Sequence, residues 1–483
     1  MINENQWNSR TPFLLSMIGA AVGLGNIWRY SYVVYSNGGG TFLIPYIIAI
    51  IMVGIPFLIL EYGVGFRHKD SYSNILKGIN PKLEYLSWIT VLIVFSVVIY
   101  YLVIVGCDLV YLGASFNFSW GSNAALYFVK NVGGSSNLSN MTHILIPTLI
   151  SMIIIWFLVW FISHRNLNEG VGKASKILIP ALFFIMGFII IYALTLPGAY
   201  IGINALLTPN WGLLLNVNIW LAAFSQIIFS LSMGEAVSLT YASYLPEGSK
   251  LADNVLVVVF ANCTFEFFTG LGIFSILGYM SYTSGIPMVE LVSEGTGLVF
   301  VVFPMIFNVM GPIGHIIAPL LFIAILFAGI TSSIAEFEPL INSVRHKLNW
   351  SRKKTVTVLS IIGCILSLLF TTAISSYLIQ VVDRFLTEFC IILLIILQCI
   401  IFTWFYDIES VIPILNENNR LKVGKTWLVI IKYILPVFLF FLWIIGVYNM
   451  ILDANSFEIT VNAIITVALL ILSYILTNIK TKG

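Results

Sequence analysis

Glu235, Glu266 and Glu336 are carboxylates inside long apolar stretches, and hydroxyls or amides occur close to them in the chain: Ser230, Ser232, Asn262, Thr331 and Ser332. An ionised carboxylate in apolar surroundings costs several kcal/mol unless it is paired, and two that share a space resist double ionisation. Carboxylates placed this way are functional by default. Oxygens of hydroxyls, amides and freed carbonyls are also the ligands that a small hard cation takes. A further chemical stretch is GAAVGLGNIWR, Gly19 to Arg29, where Gly19, Gly23 and Gly25 weaken a helix just before an amide, Asn26, and a guanidinium, Arg29.

The elements that hold these residues are membrane helices. Over 483 residues the chain is 59% hydrophobic and 9% charged, with a mean hydropathy of +0.99, far too apolar for a soluble globule. Runs long enough to span a bilayer, about 20 residues each, fall near 11–35, 41–66, 86–113, 143–162, 175–196, 217–241, 252–280, 314–343, 354–373, 377–405, 427–450 and 457–478. The expectation is an all-α polytopic membrane protein with 12 transmembrane helices. The connection 281–313 is itself apolar and carries Pro287, Pro304 and Pro312, which predicts short helices across one mouth.

Charge sets orientation and excludes partners. Of the 23 Lys and Arg, all but Arg29, Lys130 and Arg384 fall at the termini or in the even-numbered connections and their flanks. The positive-inside rule then puts both termini in the cytoplasm of a cell that carries the protein in its plasma membrane. No basic patch supports nucleic-acid binding, so the lipid bilayer is the expected surroundings of a monomer or homodimer. The polar opening MINENQWNSR and the long first apolar run speak against a cleavable signal. Cys107, Cys263, Cys364, Cys390 and Cys399 lie in hydrophobic runs without metal-ligand spacing and read as free packing residues.

Two of the helices are interrupted. Gly19 to Asn26 breaks the first, and Phe229-Ser230-Leu231-Ser232-Met233-Gly234 breaks the sixth. Non-helical backbone at membrane depth is tolerated only where it is buried in protein or lines a watered cavity. Paired breaks at corresponding helices of two five-helix halves are the pattern of a 5+5 inverted-repeat transporter with its site near the midplane. Residues 1–10 are then a cytoplasmic N-terminal segment, 11–405 the transport core, and 406–483 two further helices with a short cytoplasmic tail.

The blocks WNSRTPFLLSMIGAAVGLGNIWRY, NGGGTFLIPYIIAIIMVGIP, Ile99-Tyr100-Tyr101, SQIIFSLSMGEAVSLTYASY and AGITSSIAEFEP, in this order, closely resemble the neurotransmitter:sodium symporter family, especially its prokaryotic amino-acid members. That resemblance implies a sodium symporter with two sodium ions. For the first ion it designates the Ala21 carbonyl, Asn26, Ser230 and Asn262, completed by the substrate carboxylate. For the second it designates the carbonyls of Gly19, Val22 and Ala328 with the hydroxyls of Thr331 and Ser332. Taken alone, hydroxyls at 331 and 332 would back-bond within their own helix.

For the substrate, the resemblance implies that the amides of Leu24 and Gly25 and the Tyr101 hydroxyl hold a carboxylate, while the carbonyls of Ala21, Phe229 and Ser230 face an ammonium group. Val97, Tyr101, Phe229, Ser232 and Ser332 would line the pocket, with Tyr101 and Phe229 as its lid. Arg29 and Asp383 match an outer gate, with Arg384 as a competitor for Asp383. At the inner gate the family's pair is replaced by Glu4 and His346, with Arg345 adjacent. A sign-reversed lock of Glu4 with Arg345 or protonated His346, and an unpaired solvated tail, both fit. Trp7, Tyr244, Glu61 and Glu338 fit the surrounding network.

The sequence departs from leucine-transporting members at Glu235 and Glu336, where these have apolar side chains. Two carboxylates there call for a cationic substrate group, as in lysine, ornithine or arginine. An ω- or β-amino acid is related, since taurine- and GABA-type members carry Glu at the position of Glu336. The alternative is a neutral amino-acid symporter whose pocket glutamates are protonated. Glu266 replaces the small hydroxyl residue of chloride-dependent members, so no chloride requirement is expected, and its protonation on the return step is a possible proton route.

Other classes fit poorly. His68, His143, His164, His315 and His346 are scattered, and none forms a HExxH or GxSxG pairing, so an enzyme is not expected. A channel calls for a repeated pore motif and a continuous polar path, whereas here two unlike broken helices meet aromatic residues.

Overall fold

The structure is a computed structural model describing residues 6–292 and 296–480. The first membrane element is interrupted: α1a (Arg10–Ala21) is followed by a helical turn, Leu24–Ile27, and by Arg29–Ser36, which together form α1b. Then come α2 (Gly39–His68), α3 (Leu83–Ser115), α4 (Ile146–Ser163) and α5 (Asn168–Leu194). The sixth element is interrupted as well, into α6a (Val217–Ser230) and α6b (Val237–Ser243). It leads into α7 (Leu251–Ser284), α8 (Gly311–Leu348), α9 (Arg352–Phe370), α10 (Ser375–Phe405), α11 (Lys425–Asp453) and α12 (Ser456–Asn478). The ten uninterrupted elements are each long and apolar enough to cross a membrane, and an interrupted helix heads each group of five.

Burial sorts these helices into centre and periphery. Of the most apolar stretch of α3, 83% is buried inside the protein, against 11% for α12. A helix apolar all round belongs in the core or against lipid; α3 takes the first place, packed along α8, and α12 the second. The apolar residues between α7 and α8 fold as short helices, Met288–Leu291 and Phe303–Val309, as the prolines suggest. All five cysteines are free.

Each interruption has a local cause. In the first helix, Asn26 accepts the Gly23 amide at 2.9 Å through Oδ1, so one side chain caps the new half-helix and stops the old one. In the sixth, Ser232, Gly234 and Ala236 have φ of +47°, +78° and +60°, and no right-handed helix passes three left-handed residues in five. The break therefore lies at 231–236, later than expected, and Phe229 and Ser230 close α6a. Only one of those residues is glycine, which is why composition placed the break too early.

Candidate functional site

A cavity of about 790 Å³ lies among α1, α3, α6, α8 and α10. Its mouth includes the exposed Ser136 and Gln380, on the face opposite Trp7. Every residue expected to touch a substrate lines it: Ala21, Leu24, Gly25, Val97, Tyr101, Phe229, Ser230, Ser232, Glu235, Ser332 and Glu336. The Leu24 amide donates to the Tyr101 hydroxyl at 3.1 Å, at the start of α1b, where backbone N–H groups favour an anion. Phe229 lies flat against this turn because residue 25 has no side chain: a Cβ there would stand 2.4 Å from Phe229 Cε1.

Glu235 and Glu336 face this cavity from the unwound part of the sixth helix and from α8. They are 5% and 8% exposed, and Oε2 of each has no hydrogen-bond partner. Among the described residues neither makes an ion pair. The site thus holds two acidic groups with unused acceptor capacity.

The oxygens assigned to sodium fall into two groups beside the cavity floor. In one, Asn26 Nδ2 donates to Asn262 Oδ1 at 2.7 Å, and Asn262 Nδ2 donates to Ser230 Oγ at 2.8 Å. In the other, Ser332 Oγ donates to the Gly19 carbonyl at 3.0 Å and lies 3.5 Å from that of Val22. Thr331 Oγ1 donates back to the carbonyls of Phe327 and Ala328 at 2.9 and 3.1 Å. The second group is made of oxygen atoms alone, as a hard cation needs. The break in the first helix puts the Gly19 and Val22 carbonyls there, which a continuous helix would have used internally.

Glu266 is fully buried behind Asn26. It accepts from Tyr46, from Gln226 Nε2 at 2.8 Å and from Asn26 Nδ2 at 3.3 Å. Tyr46 and Gln226 were not singled out in the sequence; Gln226, a lone amide in an apolar run, carried a signal, whereas Tyr46 resembles any interfacial tyrosine.

At its two ends the molecule shows partners that the sequence did not name. At the mouth, Arg29 and Asp383 both line the cavity but form no ion pair within 4.0 Å. Arg29 lies over the Phe229 ring, 4.7 Å from its centroid, and Asp383 accepts from the Tyr100 hydroxyl at 2.6 Å. Arg384 does not compete for Asp383; its guanidinium meets Asp453 at 2.9 Å and Glu388 at 3.5 Å, since it turns away toward the end of α11.

At the opposite end, Trp7 Nε1 donates to the Tyr241 carbonyl at 3.0 Å, and the Trp7 amide donates to that of Tyr244 at 2.9 Å. Tyr244 donates to Glu338 at 3.0 Å, and Glu338 is gripped by both Nη atoms of Arg352 at 2.6 and 2.7 Å. Sequence reasoning missed Arg352, which looked like one of several loop cations. His346, one position beyond the half-buried Arg345, pairs with Asp70 at 2.7 Å. Lys69, with φ +50°, ends α2 and turns the chain so that Asp70 reaches α8. Glu4 lies outside the described residues. Glu61 is fully buried beside the unwound turn.

Asp70 lies between membrane helices, in a connection. Partial burial works to raise its carboxyl, but hydrogen bonds from His346, the Ser71 amide and Asn74 outweigh it and hold the group below its ordinary value.

Comparison with known proteins adds a second kind of evidence. The profile of the Sodium:neurotransmitter symporter family matches residues 4–144 and 122–480. An uncharacterised sodium-dependent transporter of Methanocaldococcus jannaschii is 38% identical over 439 residues, covering 91% of this chain and 89% of that protein. The sodium-dependent serotonin transporter of Drosophila melanogaster is 29% identical over 476 residues, covering 91% and 76%. Among solved structures, MhsT in complex with L-phenylalanine matches with a TM-score of 0.77 at 26% identity, covering 91% of this chain and 99% of that one.

Proposed function

The chain belongs to the sodium:neurotransmitter symporter family, and on that basis we propose that it is a sodium-coupled, chloride-independent symporter importing a small amino acid or amine by alternating access. The substrate carries a cationic side group, as lysine, ornithine and arginine do, or is an ω- or β-amino acid. The observation that carries this is the pair Glu235 and Glu336, buried in the cavity with unused acceptor oxygens and, among the described residues, in no ion pair. An ammonium or guanidinium group supplies the missing partner.

Two sodium ions travel with the substrate. Ala21, Asn26, Ser230 and Asn262 hold one, and Gly19, Val22, Ala328, Thr331 and Ser332 the other. The substrate carboxylate completes the first set, so each ligand raises the other's affinity by the same factor. The termini face the cytoplasm, in the plasma membrane. Transport, not catalysis, is the activity.

A second reading has its own support. The similar MhsT structure holds L-phenylalanine, a neutral amino acid, and protonated pocket glutamates would suit such a ligand. Competition of purified protein with neutral, dibasic and ω-amino acids, in sodium against potassium, separates the two. Lysine or ornithine should bind at least about tenfold more tightly than leucine in sodium. Glu235→Phe with Glu336→Ile should reverse that order; tighter leucine binding with lysine unchanged would sink the charge-matching idea.

A further inference from the structure

The geometry points to Tyr100 as a latch that holds the cavity mouth open by keeping Asp383 away from Arg29. This rests on the transport reading above. Tyr100 is 2% exposed and its hydroxyl donates to Asp383 Oδ1 at 2.6 Å. A short bond to a carboxylate is among the stronger hydrogen bonds. Arg29 is parked over Phe229, with Nη1 buried and lacking a hydrogen-bond partner.

Each half of the opposite-charge pair is therefore held by a ring, one by a phenol and one by a phenyl face. Among the described residues no cation pairs with Asp383: Arg384 is spent on Asp453 and Glu388. The Thr387 hydroxyl back-bonds to the Asp383 carbonyl at 2.7 Å within the same helix and leaves the carboxylate oxygens alone.

Closure exchanges one hydrogen bond for another. Asp383 gives up the Tyr100 hydroxyl and takes the Arg29 guanidinium, which leaves Phe229. Tyr100 and Tyr101 are consecutive on α3, so neighbouring residues of one helix serve different ends of the cavity. Tyr101 meets the floor at the Leu24 amide, and Tyr100 meets the rim. Tyr100 is a positioning residue, since it acts through Asp383.

The test uses the full chain in proteoliposomes, cysteine-free apart from a reporter placed at Ile104, which lines the cavity. Its reactivity toward an impermeant thiol reagent is read in sodium without added substrate. Tyr100→Phe deletes one oxygen and frees Asp383 for Arg29, so reactivity should fall about tenfold, as expected for loss of a bond to a charged group. Asp383→Asn still accepts from Tyr100 but cannot form the ion pair, so its reactivity should stay at or above that of the parent.

Opposite responses identify the latch, because general damage to the fold moves both variants the same way. Unchanged reactivity in Tyr100→Phe, or a fall in both variants, overturns the proposal. Sodium-driven uptake of a mixed pool of radiolabelled amino acids by the parent reports on the transport reading independently.

Discussion

Gly25 and Glu266 show how much single atoms decide at this site. A methyl group at residue 25 would sit 2.4 Å from the Phe229 ring, so Gly25→Ala must push Phe229 off the start of α1b. Uptake should fall by at least about tenfold, since a displacement of about 1 Å at a positioned group has effects of this order. The thermal midpoint should move little, because the ring borders a cavity and can yield into it; equal losses in uptake and stability would contradict this. Glu266 is a carboxylate fully buried beside Asn26, one of the residues proposed to hold the first sodium. Glu266→Ser removes the carboxylate while leaving Asn26 and Gln226 as donors. Uptake by that variant should depend on chloride, measured by replacing chloride with gluconate; chloride-indifferent uptake would show that the carboxylate does not stand in for an anion.

Helices here are tied by a few buried polar groups as well as by apolar packing, and Arg352 is the clearest case. Its Nη atoms grip Glu338 of α8, while Nε donates to the carbonyls of Ser163 and Arg165 at 2.9 Å, at the end of α4. Breaking a buried pair from one side costs about 3–5 kcal/mol. Arg352→Ala should lower the unfolding midpoint in detergent by several degrees, and Arg352→Met with Glu338→Leu by less than either single change. The helices, the two interruptions and the inner part of the cavity lining were legible from apolar runs, glycines and motif blocks, whereas the outer lining from Phe128, Ser135 and α10 (Asp383 and Arg384 apart) was not. The later position of the second break was not, because it depends on left-handed backbone at Ser232 and Ala236, residue types that give no such signal. The partners of His346 and Asp383 were hidden for another reason. Asp70 and Tyr100 lie 276 and 283 residues away in the chain, and only packing brings them together.

Across the whole molecule, one face bears the cavity mouth and the other a set of polar ties around Trp7, Glu338 and Asp70. Asp70 titrates below its ordinary 3.8, so the folded state binds its proton less readily than the unfolded chain does. Its stabilisation is therefore complete above that ordinary value and lost as pH falls through the depressed one. The side chains of the pair are 37% and 40% exposed, which limits the effect to under about 1 kcal/mol. Asp70→Asn should lower the thermal midpoint by about 1–2 °C at mildly acidic pH, with the gap to the parent closing below 3.8; a gap that widens there would show that Asp70 is not held this way. The one-sided mouth also has a practical use. A membrane-impermeant reagent in the bath reaches the cavity only in copies inserted with that face outward. The plateau of labelling at a cavity position then counts inserted orientations directly, with no tag or antibody, and the protein becomes its own gauge of sidedness in any vesicle.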